Sequence, residues 1–284
     1  MKQKATIEKL LQRLESRLLN DVRTPYAKIP DDPVEFCIRF LGFTPTEYQA
    51  KLLRDEAQFQ AARWCRQSGK THTIAAKLLH FHLKHPNTWG GNIGPSFRQT
   101  KNVIAKMAAH ASKLPRGYVR KVMRTKIEFT NGSRSEAFPN NPDTIRGPTF
   151  NIVYWDEMNF TRDDQDLYDA ILFTLGTTNG RFIASSTPWS RDSVFWKIFN
   201  DKDYADFSRH HVRWVDAVAP KGPLNLAILE KIKKQLAADP WRWRREMDAE
   251  WTEDEDSYFS QNLITACIDP HLDYLEERWL VATA

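Results

Sequence analysis

The 284-residue sequence predicts an α/β fold, a parallel central sheet flanked by helices with a small, mainly helical lid subdomain after it. Three observations predict it. Between residues 58 and 188 short apolar runs alternate with runs of helical periodicity, the pattern of parallel strands joined by crossover helices. The run 150–157 (FNIVYWDE) is apolar at nearly every position before its acidic end, as a strand buried on both faces requires. Past Pro188 the alternation stops, and Trp, Arg and Asp accumulate around one helical run at 224–240.

Taken in order, residues 6–20 place Ile7, Leu10, Leu11, Leu14, Leu18 and Leu19 at helical spacing and read as an amphipathic docking arm. Residues 23–36 carry three prolines and read as a linker. A helix is expected from Thr44 and Pro45, since proline is pre-organised for a first helical turn. Strand 58–64, helix 70–84, a strand ending in 88–96 and helix 97–114 follow. Residues 125–138 read as a hairpin turning at Asn131-Gly132, and 180–188 as a further buried strand. The expected organisation is an arm at 1–38, a core at 39–190, a lid at 191–262 and a C-terminal segment at 263–284.

Composition narrows the function classes. Hydrophobic residues make up 41% and charged residues 27%, ordinary for a chain able to bury a core. The net charge of +5 is compatible with a nucleic-acid partner without establishing one. Cys37, Cys65 and Cys267 are far apart, which argues against a disulfide framework or a zinc site and for a reducing compartment. No apolar run approaches the roughly 20 residues of a membrane span. The chain reads as a soluble intracellular protein with no membrane partner.

Residues 64–71 (WCRQSGKT) match the phosphate-binding pattern G-x-x-x-x-G-K-[ST] except at the first position, where Trp64 stands for Gly. Gly69 lets backbone N–H groups approach phosphates, Lys70 can reach the β and γ phosphates, and the Thr71 hydroxyl can ligate Mg2+. A following helix adds the positive end of its dipole. About 85 residues on, an apolar strand ends in Asp156-Glu157, where an Asp can hold the ion and the adjacent Glu polarise a water. Together the two motifs indicate ATP or GTP hydrolysis, and the Glu beside the Asp favours a hydrolase over a kinase. Ser186 and Thr187, at the end of the 180–188 strand, are either γ-phosphate sensors or an ordinary strand end. Gln49 has the donor and acceptor to read an adenine edge, or is a helix-surface glutamine. Arg146, beside Gly147, is either a surface charge or an arginine finger for a neighbouring subunit.

The order FTPTEYQ, CRQSGKT, GPSFRQT, TIRG, IVYWDE, SSTP and WRREMDAEWTEDEDSYFS resembles the ATPase domain of the large terminase subunit of tailed bacteriophages, over residues 40–260. The basic residue inside the loop and the missing first Gly are part of that resemblance. It implies a P-loop NTPase core of the ASCE, RecA-like type, with ATP and Mg2+ as cofactors. It implies adenine contact at Gln49, phosphate contacts along Arg66, Gln67, Ser68, Gly69, Lys70 and Thr71, metal at Thr71 and Asp156, and catalysis by Glu157. It also implies a coupling motif at Ser186 and Thr187. Arg66 in cis and Arg146 in trans compete for the γ phosphate, with Arg146 preferred for the trans role because its loop is Gly-flanked. Partners implied are double-stranded DNA, a portal protein, a small terminase subunit and a homo-oligomeric ring, in the cytoplasm of an infected host. Lys101, Lys106, Arg116, Arg120, Lys121, Arg124 and Lys126 are candidate DNA-phosphate contacts or solvated faces. Nuclease activity is not expected, because the run Glu253–Asp256 projects its carboxylates in different directions. The rival functions are a helicase-like translocase and a non-catalytic packaging scaffold.

Overall fold

The structure is a computed structural model that describes residues 28–162, 164–252 and 267. The arm at 6–20, the acidic run 253–256 and residues 263–284 other than Cys267 lie outside the described residues.

Eight strands form one sheet: β1 (Phe59–Trp64), β2 (Trp89–Ile93), β3 (Val119–Val122), β4 (Lys126–Phe129), β5 (Arg134–Ala137), β6 (Ile152–Asp156), β7 (Arg181–Ser186) and β8 (Ser208–Val212). Their order across the sheet is β3-β4-β5-β2-β6-β7-β1-β8. From β5 to β8 every neighbouring pair is parallel, and β4 is antiparallel to both β3 and β5. The parallel pairs are those joined by crossover segments, and the antiparallel β4–β5 pair is the hairpin expected at Asn131-Gly132. Gly132 has φ +85, which only glycine adopts without strain.

The apolar strands explain the two-sided core. In β6 all five residues are buried. Ile152 and Tyr154 join one cluster with the helices Glu47–Arg54, Lys70–Lys84 and Phe97–Ala111. Val153 and Trp155 join another with the helices Asp164–Leu175 and Val194–Asn200. In β1, Ala62 and Trp64 face the first cluster and Ala61 the second. Small residues there let helices approach the sheet closely.

Three elements differ from the sequence expectation. The helix after the linker is capped at Thr46 and runs Glu47–Arg54, so Thr44 and Pro45 precede it. The backbone N–H of Thr46 is taken by Gln49 Oε1 at 2.9 Å, which sets the first turn there. Strand β3 is an added edge strand, and its exposed Arg120 and Lys121 are charges of the kind that discourage edge-to-edge pairing. Strand β8, within the stretch expected to be mainly helical, pairs in parallel with β1 and completes the core sheet. Its polar sequence, SRHHV, reflects an edge position in which only His210 and Val212 are buried. Helix precedes it at Val194–Asn200 and resumes beyond it with Trp214–Ala217, Leu226–Gln235, Pro240–Trp243 and a π-helical turn at Arg244–Asp248.

Candidate functional site

The loop between β1 and the helix Lys70–Lys84 lies at the carboxyl end of the parallel strands. Trp64, at the first motif position, is the last residue of β1, fully buried, and packs edge-on against Tyr48 at 5.0 Å. Cys65 N–H donates to Val212 O on β8, and Arg66 N–H to Glu246 O in the π-helical turn. Gln67 (φ +60) and Gly69 (φ +87) take left-handed conformations that fold the loop back over the helix start. The loop is braced from behind: Ser68 Oγ donates to Cys65 O at 2.7 Å, and Tyr48 Oη to Ser68 O at 2.8 Å.

The two carboxylates close on this loop. Lys70 Nζ donates to Glu157 Oε1 at 3.0 Å, and Thr71 Oγ1 stands 3.5 Å from Asp156 Oδ2. The other Asp156 oxygen, Oδ1, accepts from Tyr154 Oη at 2.6 Å and Ser185 Oγ at 3.0 Å. Those bonds leave Oδ2 facing the threonine. Glu157 follows β6 at φ +51, a turn that carries its side chain beside Lys70. Its Oε2 accepts from Ser186 Oγ at 3.2 Å and Thr187 N–H at 3.4 Å. Burial pushes the Asp156 carboxyl above its ordinary value against the pull of Lys70, and the Glu157 charge adds to the rise. Burial acts on Glu157 in the same sense. There the Lys70 charge and hydrogen bond, with the Thr187 N–H and Ser186 hydroxyl, outweigh it and hold the carboxyl below its ordinary value. The Glu157 carboxylate is therefore held against a lysine that a triphosphate would also engage.

Two cavities meet at the loop. One, of about 440 Å³, is lined by Gly69, Lys70, Thr71, Gln99, Glu157 and Thr187 among others. The second, of about 550 Å³, is more apolar, lined by Pro223, Leu224, Leu229, Ile232 and Met247 of the lid, and shares Arg66 and Gln67 with the first. The first suits phosphates and the second a flat aromatic base.

Other predicted residues fall as follows. Gln49 is buried, its Oε1 is held by Thr46 N–H, and its amide end sits behind Gly69, so it lines neither cavity. Arg66 is ion-paired with Glu246 of the lid while lining both cavities. Arg146 pairs with Asp143 at 2.9 Å and lines a separate cavity with Asp166, Asp169 and Phe173, away from Lys70 and Glu157. Lys106 is exposed and also lines the phosphate-sized cavity. Lys101 lies over the Phe97 ring at 4.7 Å, and Lys126 pairs with Glu128 at 3.0 Å. Arg116, Arg120, Lys121 and Arg124 are exposed. The sequence reading missed Tyr154, a strand residue two positions before Asp156 whose hydroxyl meets both Asp156 and Ser185, and Asn159, three residues past Asp156. An unsatisfied phenol in an apolar strand ending in Asp was the one signal available for the former.

A glycine-capped phosphate loop and an Asp-Glu strand end on one parallel sheet define a P-loop nucleoside-triphosphatase core. The family model for the terminase large subunit, T4likevirus-type, N-terminal part, matches residues 65–266. The chain belongs to that family, whose members are motors of viral DNA packaging. Among solved structures, the ATPase domain of the Thermus phage P74-26 large terminase is 20% identical, with 80% of this chain covering 100% of that one at a TM-score of 0.65. The bacteriophage HK97 large terminase is 18% identical, with coverage of 78% and 55% and a TM-score of 0.65. A thermophilic bacteriophage's large terminase, solved in complex with ADP, is 14% identical, with coverage of 73% and 54% and a TM-score of 0.62. The chain thus spans about half the length of the latter two, and at these identities the likeness is one of fold. Among the described residues no helix is long and apolar enough to cross a membrane.

Proposed function

We propose that the chain hydrolyses ATP to ADP and phosphate and that hydrolysis drives translocation of double-stranded DNA. The observation that carries the reading is the meeting of Lys70 and Thr71 with Glu157 and Asp156, at 3.0 and 3.5 Å. The phosphates lie along the backbone of Gln67, Ser68 and Gly69 with Lys70 on the β and γ groups, where the helix start favours anions. The base occupies the apolar cavity under the lid, with Gln49 bracing the loop from behind. Hard oxygen donors at Thr71 Oγ1 and Asp156 Oδ2 fit Mg2+, which would spread the charge of the β and γ phosphoryl oxygens.

Glu157 orients the attacking water. On binding, the triphosphate competes with Glu157 for Lys70, freeing the carboxylate for that task. Ser186 and Thr187, hydrogen-bonded to Glu157, feel the change. Arg146 serves the site of an adjacent subunit, which requires a homo-oligomeric ring. Portal protein and small terminase subunit are the assembly partners, in the host cytoplasm, and exposed Arg120, Lys121 and Arg124 contact DNA phosphates.

The test is ATP turnover and fluorescent-ATP binding of wild type and Glu157→Gln. The variant is expected to bind ATP and lose about a hundredfold or more in turnover, the scale of general-base catalysis. Equal, slow turnover in both would favour the non-catalytic scaffold.

A further inference from the structure

Asn159 lies in the one-turn 3-10 helix Met158–Phe160, directly after the two carboxylates. It is 2% exposed, and its carboxamide has every hydrogen-bonding position filled. Nδ2 donates to Ser190 O at 2.9 Å and Ser193 Oγ at 2.7 Å. Oδ1 accepts from Trp189 N–H at 2.6 Å and from Trp251 Nε1–H at 3.1 Å. Its own backbone N–H donates to Ser186 Oγ at 3.3 Å. One side chain therefore ties the turn after Glu157 to the loop 187–193 and to the segment by which the chain leaves the lid.

That segment is anchored to the core beside β1. Trp251 lies over Arg63 at 4.6 Å and packs on Phe199 at 5.6 Å. A second link runs parallel: Arg245, in the π-helical turn of the lid, lies 4.1 Å over the Trp189 ring, which itself packs on Phe160 at 5.3 Å. At the other end of the chain of contacts, Thr187 N–H and Ser186 Oγ hold Glu157 Oε2.

We propose that Asn159 is a positioning residue that passes the state of the Glu157 carboxylate to the lid through the loop 187–193 and Trp251. It touches no reacting atom. When Glu157 changes partner, Ser186 and Thr187 shift, and the loop moves with Asn159 and with the tryptophan that the same oxygen holds. Only a primary carboxamide, in Asn or Gln, supplies two donors and two acceptors from one planar group. An aspartate would present a second oxygen to Ser190 O, and a leucine would satisfy none of the four partners. The inference rests on the ATPase reading above.

The test uses the full chain with two substitutions, Asn159→Asp and Trp251→Phe. The second removes the indole N–H together with one of the two fused rings and keeps an aromatic ring against Arg63 and Phe199, so it decides the matter if the first fails to fold. Hydrogen exchange of the lid helix Leu226–Gln235 is compared between ADP and a non-hydrolysable ATP analogue, alongside kcat, KM and ADP affinity. In wild type the two nucleotides give different lid exchange. In Trp251→Phe the difference is expected to fall at least threefold and kcat about fivefold, the effect of about one hydrogen bond. KM and ADP affinity stay within twofold. A Trp251→Phe chain that keeps the wild-type exchange difference, or that loses kcat, ADP affinity and melting temperature together, overturns the proposal. Failure of the wild type itself to bind or turn over ATP overturns the ATPase reading instead.

Discussion

Gly69→Ala is expected to show that the phosphate loop and Gln49 are fitted to each other. Two costs are readable. The residue has φ +87, where adding a Cβ costs about 1–2 kcal/mol. The new Cβ would also stand 2.7 Å from Gln49 Nε2, closer than a Cβ carbon approaches a neighbouring atom. The Gln49 side chain must move, which gives up its 2.9 Å bond to Thr46 N–H, worth about 1 kcal/mol. The sum is about 2–3 kcal/mol. In a Gln49→Ala background the second cost is already absent, so Gly69→Ala should then cost only about 1–2 kcal/mol. Urea denaturation of wild type, both single variants and the double variant, followed by tryptophan fluorescence, measures the cycle. A coupling of about 1 kcal/mol is expected, and additivity to within about 0.3 kcal/mol would refute the fit. Nucleotide affinity should fall with Gly69→Ala in both backgrounds, because the loop's backbone conformation changes in each.

The fully buried His82 ring, held to Thr88 Oγ1 at 2.9 Å, is pushed down to about 3 by burial. Below its ordinary value of 6.5 the unfolded chain takes a proton that the folded one refuses, so stability falls as pH drops from there toward 3. At pH 5 this group alone removes about 2 kcal/mol, and His82→Leu should narrow its stability gap to wild type by that much between pH 7 and 5; a constant gap would contradict this. Tyr154→Phe removes the hydroxyl between Asp156 and Ser185 and should cost about 1–3 kcal/mol in chemical denaturation. It should also raise the Mg2+ concentration needed for half-maximal turnover, and unchanged stability and Mg2+ dependence together would count against the role. Glu246→Ala breaks the ion pair with Arg66, whose side chain is 60% exposed, so melting should shift by less than about 1 kcal/mol equivalent while lid exchange rises. A large drop in melting temperature would make the pair a structural one.

Much of the fold was legible because its elements carry local signals. A run such as IVYWD has no stable placement except between two helical layers, and Asn131-Gly132 specifies a tight turn. Strand β8 was illegible for the opposite reason. At a sheet edge one face is solvated, so Ser208, Arg209 and His211 leave no apolar run, and the pairing with β1 is made by backbone groups that every sequence possesses. The partner that buries His210 is Asp55, at 2.6 Å and far away in the chain, and neither residue signals the other.

The same division runs through the site. Lys70, Thr71, Asp156 and Glu157 were legible as a group by type and spacing, and the structure brings the four together. Gln49 was legible as a polar residue near the loop, yet a carboxamide can serve a base edge or a backbone N–H equally well. The choice went to Thr46 because the helix start lies three residues away and its orphan donors need a partner. Arg66 shows where spacing stops informing. Its loop position marked it for phosphate, and the structure pairs it with Glu246, 180 residues on. A π-helical turn, which ends in a left-handed residue at Ala249, carries that carboxylate to the loop, and such a turn has no sequence period to read. Only its Nε is taken by Glu246, so the terminal nitrogens of the guanidinium remain for the cavities it lines. The loop arginine thus joins the loop to the lid, a link that no motif written along one strand and one loop can record.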